Sequence, residues 1–157
     1  YLGNLWNESK GEDKHRRAIY TYLKRTSPYP SFISFDASSR EICLVRRLPS
    51  NTPLQALVTM NDPVYIEAAL NLAKRNEDES IESSIKKMYK SAVYKEIDPI
   101  TLNNLVGLYE KANKEFEDDN LKLNDFFALG EKLSVKLASL SIVANAIMNL
   151  DEFLTHG

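Results

Sequence analysis

The chain has few of the residues that most often build reactive or cross-linked sites. One cysteine, Cys43, excludes an internal disulfide and a C-x-x-C-H haem attachment within these 157 residues. The two histidines, His15 and His156, lie near opposite ends, so an internal zinc site would have to rely on carboxylates. We therefore expect no metal site and no cofactor held by this chain.

The common nucleotide-binding and hydrolytic motifs are also missing. The chain has no G-x-x-x-x-G-K-[ST], G-x-G-x-x-G, G-x-S-x-G or H-E-x-x-H sequence. Its longest apolar runs fall short of the roughly 20 residues that span a bilayer. The net charge of −2 argues against a nucleic-acid binder. Because the chain begins with Tyr1 rather than methionine, we expect it to be a piece of a longer protein. Whether it is part of an enzyme stays open.

Arginine is absent after residue 75, which reveals a charge asymmetry. Residues 16–47 carry seven basic side chains against two acidic ones, whereas residues 76–157 carry nine lysines against fifteen acids. Lysine suffices for a solvated helix face, while the planar guanidinium of arginine suits fixed hydrogen bonding. The pattern predicts specific polar contacts in the N-terminal part and a solvated helical body after it.

The first third of the chain predicts irregular structure. Residues 1–13 read as a lead-in from a preceding domain of a longer protein. The run RRAIYTYLKRT at 16–26 favours a strand, although it also fits a helical stripe. The segment SPYPSF at 27–32 contains two prolines and is predicted to be extended.

Helix signals are clear in the rest of the chain. TPLQ at 52–55 matches a capping box with proline at the first helical position, and NDP at 61–63 and DP at 98–99 start further helices. Residues 79–95 place their apolar side chains on one face, and a short helix from about 124 is expected to end at Gly130. The stretch 132–150 is apolar enough to form the central helix.

These signals predict a mainly α, irregular helical domain with a short extended, β-containing, Arg-rich N-terminal portion. We expect one domain over 14–157, with a motif-rich polar portion at 14–75 and a helical body at 76–157.

The stretch FDASSREICLVRRLPSNTPLQAL at 35–57 concentrates the candidate chemistry. Cys43, between Arg40 and Arg46, is either a thiol with a lowered pKa or a small buried apolar residue, and packing is favoured because no histidine base is near in sequence. Asp36 is either a general base or ligand contact, or a cap of a short turn before Arg40.

The arginines of this region support two interpretations. Arg40, Arg46 and Arg47, with the pair at 16–17, could form a cradle for phosphate, sulfate, carboxylate or a haem propionate. They could equally form ion pairs with acidic side chains of the same chain. Polar residues around the two helix starts, Asn51, Gln55, Asn61 and Asp62, are explained by capping, although a helix N-terminus also attracts anions.

The run from 16 to 73, with FDA-S-RE-C, RR, NTPLQAL and NDP, resembles the planctomycete cytochrome-associated C-terminal domain family, a PSD1-type domain of unknown function. NLDEFLTHG at 149–157 resembles the end of that family, and the likeness covers about residues 14–157. Proline often replaces Ser38 in the family, and threonine often replaces Ser50. The recurrent positions of the family map here onto Arg17, Tyr20, Arg25, Asp36, Arg40, Cys43, Arg47, Asn51, Thr52, Pro53, Gln55, Ala56, Asn61 and Asp62.

The resemblance implies the C-terminal module of a large exported bacterial protein, in the periplasm or at the cell surface. Haem would belong to another domain of that protein. We expect a structural or interaction domain whose partners are other domains of the same polypeptide, with a c-type cytochrome as a further candidate partner. The alternatives are half of an enzyme site for a glycan or other anionic substrate, lined by Asp36 and the arginines, and a docking surface for a c-type cytochrome.

Overall fold

The computed structural model divides the chain into two units, Tyr1–Ser50 and Asn51–Gly157. The prediction of one domain over 14–157 stays a prediction. The structure describes residues 9, 11, 13, 16–22, 29–38, 45, 50–78, 80–118 and 133–155.

The described part of the unit Tyr1–Ser50 is helical where extended chain was predicted. Ala18–Tyr20 form one turn of 3₁₀-helix, in which the Tyr20 N–H donates to the Arg17 carbonyl at 2.9 Å. Helix α1 spans Pro30–Ser34, with its proline at the first helical position. The strand prediction is therefore wrong at 18–20, and the extended prediction is wrong from residue 30. A proline at the first position is compatible with a helix, because that N–H has no intrahelical partner in any case.

Six helices are described in the unit Asn51–Gly157. The helix starts predicted at TPLQ, NDP and DP are confirmed. The short helix expected at about 124–130 lies outside the described residues. The helices are α2 (Pro53–Asn61), α3 (Pro63–Asn76), α4 (Ile81–Val93), α5 (Pro99–Asp118), α6 (Val135–Met148) and α7 (Asp151–Thr155).

Helix α6 is the centre of this unit, as the sequence predicted. It contacts α2, α3, α4, α5 and α7. Its fully buried residues include Leu140, Val143 and Ile147, which pack in one core cluster with Ile85 and Met88 of α4. Buried alanines of α3 and α6 join these larger side chains and allow the two helices to approach closely.

The mainly α fold class is confirmed, and no strand occurs in the described ranges. The extended, β-containing N-terminal portion is not confirmed. None of the helices that the structure describes combines the length and apolar character needed to cross a membrane.

Candidate functional site

The predicted arginine cradle falls mostly on residues that the structure does not describe, namely Arg40, Arg46 and Arg47. The site candidates Arg25 and Cys43 also lie outside the described residues. Of the remaining pair, Arg17 is exposed, and Arg16 donates from Nε to Asp13 Oδ1 at 2.5 Å. Both side chains of that ion pair are mostly exposed, so it contributes little to stability. The choice between an anion cradle and internal ion pairs therefore stays open.

Asp36 follows the end of helix α1 and bonds to Ser50. Its φ of 54° is left-handed, a conformation that aspartate tolerates better than most residues, and the Ala37 N–H donates to the Phe32 carbonyl at 2.9 Å. This is the helix-ending arrangement in which the second residue past the end bonds back to the last turn. Asp36 Oδ2 accepts from both the N–H and the hydroxyl of Ser50, each at 2.7 Å. The carboxylate thus joins two residues that lie fourteen positions apart in the sequence.

The polar residues around α2 serve the ends of helices. The Gln55 N–H donates to Thr52 Oγ1 at 3.3 Å, and the Thr52 N–H donates to Gln55 Oε1 at 2.9 Å, which completes the predicted capping box. Asn61 Nδ2 donates to a carbonyl of its own helix, and Asp62 Oδ1 accepts from Val64 N–H at 2.9 Å as the cap of α3. Asn51 Nδ2 donates to Asp151 Oδ1 of α7 at 2.9 Å. Their role in binding a ligand remains a prediction.

Helix α2 buries two polar side chains and exposes three large apolar ones. Gln55 is 2% exposed and Thr59 is 0% exposed, whereas Leu54, Leu57 and Met60 are 55%, 59% and 50% exposed. No residue between 48 and 61 is charged. A surface helix normally has the opposite arrangement, with an apolar stripe facing the core. The outer face of α2, defined by Leu54, Leu57 and Met60, is continued by the exposed Val64 at the start of α3.

The inner face of α2 meets α6 and its C-terminal residue through hydrogen bonds. Asn145 Nδ2 donates to the Thr59 carbonyl at 3.0 Å, and the Thr59 hydroxyl lies 2.7 Å from Asn149 Oδ1. The carbonyl needs this partner because residue 63, whose N–H would normally bond to it, is a proline. The described residues thus place a polar seam, made of Thr59, Asn145 and Asn149, between α2 and α6.

Asn149 has one buried group, Nδ2, that makes no hydrogen bond in the structure. The Thr59 hydroxyl has one proton but lies within bonding distance of three oxygens, those of Asn149, Gln55 and Ala56. With the Asn149 amide turned by half a rotation, Nδ2 donates to the hydroxyl, which then donates to a backbone carbonyl. The amide oxygen then takes the buried position, and an unsatisfied carbonyl is less rare than an unsatisfied N–H. The seam therefore does not require a ligand.

The clearest perturbations of titratable groups lie away from α2. The Tyr89 hydroxyl donates to Glu152 Oε2, and this bond, with burial and the charge of the carboxylate, raises the pKa of Tyr89 to about 12. Hydrogen bonds from Thr101 lower the pKa of Asp98, the residue that caps α5. Burial, reinforced by two nearby glutamates, raises the pKa of Tyr109. In the described ranges, no three His, Cys, Asp or Glu side chains lie close enough to hold a metal ion.

The comparison with protein families gives a match that covers most of the chain. The sequence model of the PSD1 family, described as "Protein of unknown function (DUF1553)", matches residues 3–109. The chain belongs to this family. The match includes Asp36 and Ser50, which bond to each other, and helices α2 to α4, and it ends within α5. PSD1 membership confirms the resemblance to a domain of unknown function and assigns no reaction. No curated protein and no solved structure matches the chain.

Reasoning from the sequence missed the outer face of α2 and the asparagines opposite its inner face. The spacing of Gln55 and Thr59, four residues apart, does place them on one helix face. Nothing in PLQALVTMN shows which face is buried, because an apolar stripe is normally assigned to the core. A usable signal was Pro63, which leaves a buried carbonyl in the preceding turn in need of a donor from elsewhere.

Proposed function

We propose that this PSD1 chain is an interaction module of a larger exported protein, and that the outer face of α2 packs against a companion domain of the same polypeptide. The supporting observation is the reversed polarity of α2. Its apolar side chains Leu54, Leu57 and Met60 are at least half exposed, while the polar Gln55 and Thr59 between them are buried. Exposed apolar patches rimmed by polar residues mark interaction sites in soluble proteins.

The size of the patch favours a tethered partner. Leu54, Leu57, Met60 and Val64, each partly exposed, form a patch of at most a few hundred Å², the size of the largest patch on an ordinary monomer. A stable complex between separate proteins buries about 800 Å² on each partner. A smaller contact suffices between domains of one chain, because the linker raises their effective concentration to the millimolar range. The companion domain fits this requirement better than a second copy does.

The chemistry of the patch predicts an apolar, uncharged partner surface. Because no charged residue lies between 48 and 61, contact here should depend little on salt. Docking of a c-type cytochrome through the basic residues of 16–47 would instead weaken as salt rises. The exported setting, the haem of a neighbouring domain and the cytochrome partner belong to this proposal through the family resemblance. The half-site for an anionic substrate has no described contact that favours it.

The three methionines supply a direct test. Met60 is 50% exposed, whereas Met88 and Met148 are 0% and 5% exposed and act as internal controls. Peroxide oxidation read by mass spectrometry should modify Met60 first in this chain alone. In the complete polypeptide, Met60 should become protected while the two controls stay slow. Equal oxidation of Met60 in both proteins would contradict the proposal.

Two matched variants identify the surface. Leu57→Lys places a charge in the patch, and Asn71→Lys places the same charge at an exposed position of α3. The first substitution should restore oxidation of Met60 in the complete polypeptide, and the second should not. Analytical ultracentrifugation of this chain alone tests the other occupant: self-association abolished by Leu57→Lys would assign the face to a second copy and overturn the companion-domain proposal.

A further inference from the structure

Helix α2 differs from the core helices in the kind of contacts that it makes. Among the described residues, neither of the two hydrophobic clusters contains a residue of α2, whereas α3, α4, α5 and α6 all contribute to them. Buried alkyl side chains such as Ile85 and Ile147 each contribute about 1.5–3 kcal/mol through the hydrophobic effect. Helix α2 contributes no fully buried alkyl side chain of this kind among the described residues.

Hydrogen bonds hold α2 to the rest of its unit. The cross-element bonds include those from Asn145 to the Thr59 carbonyl, between Thr59 and Asn149, and from Asn51 to Asp151. Each such bond contributes only about 0.5–1.5 kcal/mol, because water replaces it when it opens. The outer apolar residues have less to lose on opening than core residues, since they are already at least half exposed. Opening α2 therefore costs much less than opening any core helix.

The ends of α2 define the unit that can open. Its capping box joins Thr52 to Gln55, so these two residues can move together when α2 opens. At the other end, Asp62 has extended backbone, with φ −71° and ψ 128°, and Pro63 follows. Proline prevents the helical bonding of α2 from continuing into α3. A change in the dihedral angles near Asp62 can thus move α2 while α3 stays packed on α6.

A detached α2 would not persist as a helix. It has nine residues, and isolated helices shorter than about 12–15 residues are marginal in water. Docking on α6 and folding of α2 are therefore one event.

We propose that α2 opens and unfolds locally while α3 to α6 stay folded, and that a partner on its outer face stabilises the closed state. Such a partner binds only the folded helix, so it shifts the equilibrium toward closure. The first half of the inference concerns this chain alone. It can hold even if the companion domain is not the partner, so the two proposals fail separately.

Native-state hydrogen exchange over a series of low denaturant concentrations tests the opening. Amides of α2 should exchange far faster than those of α6 and with little dependence on denaturant, because the opening exposes little surface. If α2 and α6 amides show the same exchange free energy and the same denaturant dependence, α2 opens only with the whole unit and the inference is wrong.

A variant pair locates the contact that controls the opening. Asn145→Ala removes the donor to the Thr59 carbonyl, and it should speed exchange in α2 by roughly two- to tenfold while leaving α4 exchange unchanged. The control, Asn113→Ala, removes a side-chain bond on α5 and should leave α2 unchanged. Equal acceleration in α2 and α4 by Asn145→Ala would contradict a local opening.

The role of a partner has its own measurement. In the complete polypeptide, α2 exchange should slow relative to the isolated chain, and Leu57→Lys should reverse this slowing. Unchanged α2 exchange despite protection of Met60 would refute the coupling between docking and closure while sparing the interaction surface.

Discussion

Tyr94 ends helix α4 with a φ of 61°, a left-handed conformation that residues with a side chain adopt at a cost. Its N–H donates to the Lys90 carbonyl at 3.0 Å, so the backbone arrangement completes the helix end. Asp36 has a similar φ, but aspartate tolerates this region and its carboxylate bonds to Ser50. Tyrosine does not share this tolerance of the left-handed region, and Tyr94 is 82% exposed.

The cost at Tyr94 is measurable with two substitutions. Tyr94→Ala and Tyr94→Gly both remove the ring and any interaction it makes, but only glycine relieves the left-handed backbone. Urea denaturation should find Tyr94→Gly more stable than Tyr94→Ala by about 1 kcal/mol. Equal stability of the two variants would show that this conformation is not strained.

At the scale of helices, the capping box of α2 shows how far a local signal reaches. TPLQ predicted its cap, its first residue and its reciprocal bonds, and all three are present. The start of α5 at DP was predicted in the same way. Such signals are reliable because the groups involved lie within four residues of one another and need no distant partner.

Thr52 allows the strength of this cap to be tested. Thr52→Ala removes the oxygen that accepts the Gln55 N–H and should lower the free energy of unfolding by about 1 kcal/mol. Thr52→Ser keeps the hydroxyl and should remain close to the original chain. Urea denaturation of the three proteins decides the point; a serine variant as unstable as the alanine variant would assign the loss to the methyl group instead.

What the sequence could not predict depends on contacts between distant elements. Thr59 is buried where it bonds to Asn145 and Asn149, which lie some ninety residues further along the chain. The prolines at 28 and 30 were interpreted as extended chain, although Pro30 starts a helix, because the same φ suits both structures. The arginines at 40, 46 and 47 fall outside the described residues, so the predicted cradle stays a prediction.

At the scale of the whole unit, the C-terminal helix α7 bonds both to the start of the unit and to helix α4. Asp151 accepts from Asn51 at the start of the unit, and Glu152 accepts from the Tyr89 hydroxyl on α4. Tyr89 is buried within the core cluster that α4 and α6 share. Its hydroxyl therefore ties the last described helix to the centre of the fold.

The bond between Tyr89 and Glu152 makes the stability of the unit depend on alkaline pH. The folded state raises the pKa of Tyr89 from 10.0 to about 12, so the folded state favours the protonated phenol. The resulting stability is fully present below pH 10 and is lost as the pH rises toward 12.

Tyr89→Phe should therefore be less stable than the original chain by about 1 kcal/mol at neutral pH. That difference should shrink over the alkaline range, with Glu152→Gln showing a smaller alkaline loss because the repelling charge is gone. Urea denaturation at several pH values, with tyrosinate absorbance as a second signal, measures both effects. A difference between the original chain and Tyr89→Phe that stays constant up to pH 12 would show that the phenol does not stabilise the fold through its proton.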